Sequence, residues 1–185
     1  MKNVVVFLLL SLGISLNVLS QTRDLVVIDE SIQDIDLLKS SILRQADILL
    51  VNNQSEVWFE IYQAISDQPA ITQVHLLLPS SEGELVIGGT SYDVNTISEV
   101  FDLKLLKNKE ISLLFYGSNL AEIEEGKALV NKIAEITNLD ISASTTTTAG
   151  KDAGGDWLLE YHTGNSAEYD PIFNDESLKN YPYNF

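Results

Sequence analysis

Apolar residues along the chain fall into two alternating patterns. Short β-branched runs bounded by turn residues read as buried strands, and longer stretches with apolar residues three or four apart read as helices. The first strand is "DLVVIDE" (24–30). "SIQDIDLLKSSILRQ" follows with Ile32, Ile35, Leu38 and Ile42 on one helical face and Ser31 placed to cap it. "ADILLVN" is a second strand, and 55–66 a second helix with Val57, Ile61, Ala64 and Ile65 inward. "ITQVHLLL" is a third strand, stopped by Pro79.

The alternation then changes. "GELVIGGTSYD" (83–93) reads as a hairpin turning at Gly88 and Gly89. Residues 94–106 predict a helix with Ile97, Val100, Phe101 and Leu105 inward. "EISLLFYG" is the fourth main strand, and the longest helix follows from Leu120, with Ile123, Leu129, Val130, Ile133 and Ile136 as its apolar face. "LDISAST" is a fifth strand, "GGDWLLEYHTG" a last, antiparallel one, and the tail from Asn165 to Phe185 folds back as a cap with a short helix around Ser177. Strands alternating with helices predict an α/β domain whose mostly parallel sheet carries helices on both faces and a small hairpin insertion. Function in such sheets gathers at the carboxyl ends of the strands, here Asp29, Asn52, Pro79, Ser118 and Ser144.

Residues 1–20 read differently. Lys2, an apolar run and a small-residue exit at Ser20 make the three-part pattern of a secretory signal peptide, leaving 21–185 as one domain in the periplasm, outside the cell or at its surface. The chain has no cysteine, so an exported form has no disulfide and its stability rests on the core. The formal charge is -16, and removal of Lys2 makes it -17. So acidic a surface repels phosphate backbones and anionic lipid, which argues against nucleic-acid partners and against membrane insertion once the signal is gone, and favours a basic peptide or protein partner.

The candidate chemistry centres on "LLFYGSNLAE", where a strand ends at Tyr-Gly and presents Ser118 at its lip. A serine nucleophile needs a base. His75 lies mid-strand and reads as core; His162 reads as an exposed residue of an edge strand. The surroundings of Ser118 are not G-x-S-x-G. Asn119 and the amides after Gly117 offer an anion a place at a helix start, and "SASTTTTAG" offers hydroxyls or a plain loop. Asp29, Glu30, Asp34 and Asp36 lack the spacing of a calcium loop, and no cofactor or metal motif is present in the sequence.

Four segments carry a resemblance: "LVVIDESIQDIDLL", "VHLLL" with "GELVIGG", "LLFYGSNLAE", and "ISASTTTTAG" with "GGDWLLEY". Together they resemble domain-of-unknown-function family 4347 (DUF4347), a caspase-like module of bacterial exported and surface proteins. The resemblance implies a caspase-like three-layer sandwich. Family members typically end the third strand in Ser-His-Gly and the fourth in Tyr-Gly-Cys-Asn, a His/Cys dyad; here the dyad positions hold Pro79 and Ser118. Proline cannot act as a base. The resemblance therefore implies a pseudoenzyme with a groove lined by Ser80, Asn119, Thr145, Thr146 and Asp29, acting as a binding or surface-interaction module. The alternative is a serine-using hydrolase with Ser118 as nucleophile and Glu82 or Glu84 as base, and a third reading is a purely structural envelope component.

Overall fold

The computed structural model describes residues 22–81, 83–164 and 169–185; the signal-peptide reading of 1–20, Glu82 and the start of the tail at 165–168 lie outside the described residues. Six strands form the main sheet: β1 (Arg23–Asp29), β2 (Ala46–Val51), β3 (Ile71–Leu77), β7 (Ser112–Tyr116), β8 (Asp140–Ala143) and β9 (Tyr161–His162). Their order is β2-β1-β3-β7-β8-β9, with every pairing parallel except the last. β4 (Ser80–Ser81), β5 (Glu84–Ile87) and β6 (Thr90–Tyr92) make a separate antiparallel sheet.

Strand side chains alternate between two apolar layers because successive residues point to opposite faces. Leu25, Val27, Val74, Leu76, Leu113 and Phe115 pack on one side against α2 (Val57–Asp67) and α3 (Glu124–Thr137). Val26, Ile28, Leu77, Leu114 and Tyr116 pack on the other against α1 (Ile35–Ser40) and the C-terminal tail. The result is an α/β architecture with a mostly parallel sheet between two covering layers. Long helices cover one face only. On the other, α1 is short, and Ile172, Phe173, Leu178, Tyr181 and Phe185 of the tail close the layer around Trp157. Among the described residues no helix is long and apolar enough to cross a membrane.

The hairpin turn is at Gly88 and Gly89, with φ +58° and +72°. Two consecutive positive φ values suit the twist of a tight hairpin, and they favour glycine at both positions. A β-carbon on Gly88 would also stand 2.9 Å from Val57 Cγ2 and 3.0 Å from the Asn52 carbonyl oxygen.

Several elements differ from the pattern-based expectation. α1 begins at Ile35, not after Ser31, because Ser31 is drawn back to Asp29 and Asp34 takes up a left-handed conformation, φ 53°. Residues 94–106 form two 3-10 helices, Thr96–Glu99 and Asp102–Leu106, in place of one α-helix. Ile97, Val100, Leu103 and Leu106 recur every third residue and pack inward, whereas Phe101 is 72% exposed. Three residues per turn align that set, and 3.6 do not. α3 starts at Glu124; Leu120 and Ala121 are buried in the loop before it. The last strand shrinks to Tyr161–His162, since Trp157 and Leu159 turn into the tail-covered layer. The helix expected near Ser177 is a series of turns, held by Asn174 Oδ1 accepting from the Glu176 and Ser177 amides at 3.1 and 3.2 Å. β4 has no counterpart in the expectation, as two residues carry no period.

Candidate functional site at the strand ends

β3 and β7 lie side by side and end together, so the chain segments that leave them must pass close to one another. Gly117 permits this: a β-carbon there would collide with the Ser80 side chain, lying 2.8 Å from its Cβ. The close approach allows Ser80 Oγ to donate to the Ser118 carbonyl at 2.9 Å. Pro79, just before Ser80, accepts through its carbonyl from the Val86 amide at 3.0 Å, which ties the strand end to the small sheet.

Ser118 is only 9% exposed. Its hydroxyl oxygen accepts from the Thr148 amide at 3.1 Å, and its own amide donates to the Phe185 carbonyl at 2.5 Å. The end of the tail therefore lies against the backbone of the residue at the lip of β7. Asn119 adopts a left-handed conformation, φ 58°, donates its amide to the Thr146 carbonyl at 2.9 Å and accepts from Thr147 Oγ1 at 3.4 Å. The hydroxyl-rich loop after β8 is fastened on its far side. Thr145 donates through its amide and hydroxyl to Glu160 at 2.8 and 3.0 Å, and Thr146 Oγ1 lies 3.2 Å from both Asp156 and Glu160 carboxylates.

Pro79, Ser80, Ser118, Asn119 and the threonine loop are thus brought to one edge of the sheet. Asp29 is engaged elsewhere. Its Oδ1 accepts from the Ser31 amide and hydroxyl at 3.0 and 2.6 Å, and its Oδ2 from the Gly88 amide at 2.9 Å, so a buried carboxylate joins the end of β1 to the hairpin. Charge-assisted bonds of this kind are among the stronger ones available to a protein. Glu84 accepts from Ser91 Oγ at 3.0 Å, within the hairpin. Among the described residues no carboxylate or imidazole is hydrogen-bonded to the Ser118 hydroxyl.

Both histidines are occupied by other neighbours. His75 is fully buried, with Nδ1 3.3 Å from the Tyr116 hydroxyl and Nε2 3.5 Å from Asp24 Oδ1. Burial lowers its pKa despite the adjacent carboxylate, so the ring is neutral near pH 7. Burial alone would raise the Asp24 carboxyl, but the neighbouring His75 and Arg44 outweigh it and hold Asp24 below the usual carboxylate value. Arg44 contacts Asp24 through Nε and reaches the tail, donating to the Pro171 and Asp170 carbonyls at 2.8 and 2.9 Å. This buried network was not visible in the sequence pattern. Its trace there is His75, a polar residue between the apolar Val74 and Leu76 of β3. His162 is half-buried, not exposed as an edge residue would be, because its Nδ1 lies 2.8 Å from Ser142 Oγ on the paired strand β8.

No group of three or more His, Asp or Glu side chains among the described residues is placed to hold a metal ion. Comparison with known proteins gives one positive result: the model of a family described as a domain of unknown function, DUF4347, matches residues 25–185. No curated protein and no solved structure matches the chain. The match runs from Leu25, within β1, through every later strand and helix to the tail that closes on Ser118, and the chain belongs to the DUF4347 family.

Proposed function

We propose that the domain is an exported, catalytically inactive caspase-like module that binds a peptide or protein partner at the strand-end face. The observation that carries this reading is the hydrogen bonding of Ser118. A serine at a nucleophile's place needs a base to take its proton, yet its hydroxyl oxygen is engaged by the Thr148 amide and its amide by Phe185. A backbone amide can only donate to that hydroxyl, so it cannot take the proton as a base would. Pro79 stands where the resemblance puts the dyad histidine, and it has no titratable group. The net charge of -16 favours basic segments as partners and disfavours nucleic acid.

The test is covalent labelling. The chain and its Ser118→Ala variant are incubated with a serine-reactive fluorophosphonate and read by intact mass. No adduct in either protein is the expected result. An adduct on the parent that disappears in the variant would overturn the inactive reading in favour of a serine hydrolase and show that a base is recruited from another part of the chain.

A further inference from the structure

β2 is the first strand of the main sheet, and among the described residues it pairs on one side only, with β1. Exposed strand edges are ready templates for further pairing, and proteins usually blunt them with lysine, proline, a bulge or a very short strand. β2 has none of these. Its six residues, "ADILLV", pair with β1 in unbroken register from Asp24↔Ala46 to Asp29↔Val51.

The side chains add a second observation. Five large hydrophobic residues are exposed among the described residues; two of them, Ile48 at 39% and Leu50 at 36%, are on β2, and a third, Leu43 at 57%, lies just before it. Ile48 and Leu50 lie two apart on the strand and so share one face. The third observation is charge. Lys39–Val51 contains one Lys, one Arg and one Asp in a chain of -16; Asp47 is met by Arg23 at 2.6 Å and Arg44 by Asp24 and Asp170, so the acid on the strand and the arginine before it are both paired. A second copy of this chain, repelled by most of the acidic surface, meets no such local barrier at β2.

We propose that β2 is a homodimer edge, pairing antiparallel with β2 of a second copy about a two-fold axis at Leu49. Two identical strands related this way place residue i opposite j with a constant sum. Centred on Leu49, Ile48 faces Leu50 of the partner subunit, and the reverse pair follows by symmetry. Both exposed residues are then covered by apolar ones on the same face. A shift by one step of the pleat breaks this match: centred on Ile48, Leu50 faces Ala46 of the partner subunit, and centred on Leu50, Ile48 faces Asn52 of the partner subunit. The two sheets become one continuous sheet of twelve strands, and the strand-end face around Ser118 remains open on each copy.

The experiment uses residues 21–185, which contain every described element and both apolar layers. Sedimentation is followed from about 1 µM to about 500 µM protein and from about 20 mM to about 500 mM salt. A monomer–dimer equilibrium is expected, tighter at high salt because screening removes the repulsion between two acidic copies. Ile48→Lys combined with Leu50→Lys should weaken it by about tenfold or more, with the far-UV spectrum unchanged, since like charges then face each other across the pair. The absence of native cysteine allows a register test: an oxidised mixture of Ile48→Cys and Leu50→Cys chains should form the mixed disulfide in preference to either self-linked dimer. A monomer at all concentrations, a dimer indifferent to the lysine pair, or a preference for self-linked dimers would each overturn the proposal.

Discussion

Helix propensity and the structure make opposite predictions for Gly126→Ala. Gly126 lies in the first turn of α3, where alanine in place of glycine ordinarily stabilises a helix by up to about 1 kcal/mol. In the folded chain a β-carbon at 126 would overlap the Leu120 carbonyl oxygen, stand 2.8 Å from the Leu120 carbonyl carbon and 3.3 Å from the Gly83 nitrogen. All three are backbone atoms, so no flexible side chain can turn aside. The loop 118–123, which carries Ser118 and Asn119 to the strand-end face, would have to move. Overpacking of a tight site costs roughly 1–3 kcal/mol, and a clash with backbone belongs at the upper end. Net of the propensity gain, Gly126→Ala should destabilise the domain by about 2 kcal/mol, a fall in Tm of roughly 4–8 °C for a domain of this size. Urea unfolding followed by circular dichroism measures it, with Ala128→Gly at an exposed position of the same helix as the propensity control, expected to cost about 1 kcal/mol. A Gly126→Ala protein with an unchanged or raised urea midpoint would refute the reasoning and show that the loop yields without cost.

Two further outcomes are expected. His75 has a folded pKa below 6.5, so the unfolded chain gains a proton that the folded chain refuses, and stability should fall as pH drops below about 6.5, by at most about 1.4 kcal/mol per unit. The Asp24 contribution, whose folded pKa lies below 3.8, is present above that value and is lost as pH falls further, through the folded value; urea midpoints at pH 7.5 and 5.5 should differ for the parent and converge for His75→Leu. Trp157 has ring centroids 5.3 Å from Phe173, 5.8 Å from Tyr181 and 5.6 Å from Phe185, so Trp157→Ala should cost about 3–5 kcal/mol and release the tail to limited proteolysis ahead of the sheet. A tail cleaved no faster than the rest of the variant would show that the aromatic cluster does not hold it.

Much of the fold was legible because burial leaves a periodic mark. The central strands β1, β3 and β7 have apolar neighbours on both faces and read as apolar runs, and Gly88-Gly89 announced a turn that requires positive φ twice. Residues 94–106 were misread because an α-helix and a 3-10 helix share Ile97 and Val100, and only packing against α2 and α3 selects the three-residue repeat that buries Leu103 and Leu106. The tail was legible as a cap but not as turns, since its polar and aromatic residues follow no period and are ordered by the pocket they fill.

The candidate site divides the same way. By itself the sequence determined the alternation of strands and helices, the gathering of Pro79, Ser118 and Ser144 at strand ends, the family, the absence of any thiol and the acidic charge, because these depend on residue identity and local order. Only the tertiary structure decided that the Ser118 hydroxyl meets the Thr148 amide, that Phe185 closes on the Ser118 backbone, that Asp29 anchors the hairpin, and that Arg44, Asp24 and His75 share one buried network. Each of those contacts joins residues far apart in the chain. Their partners are chosen by how closely loops and layers approach, and local periodicity records which residues are buried but not what they are buried against.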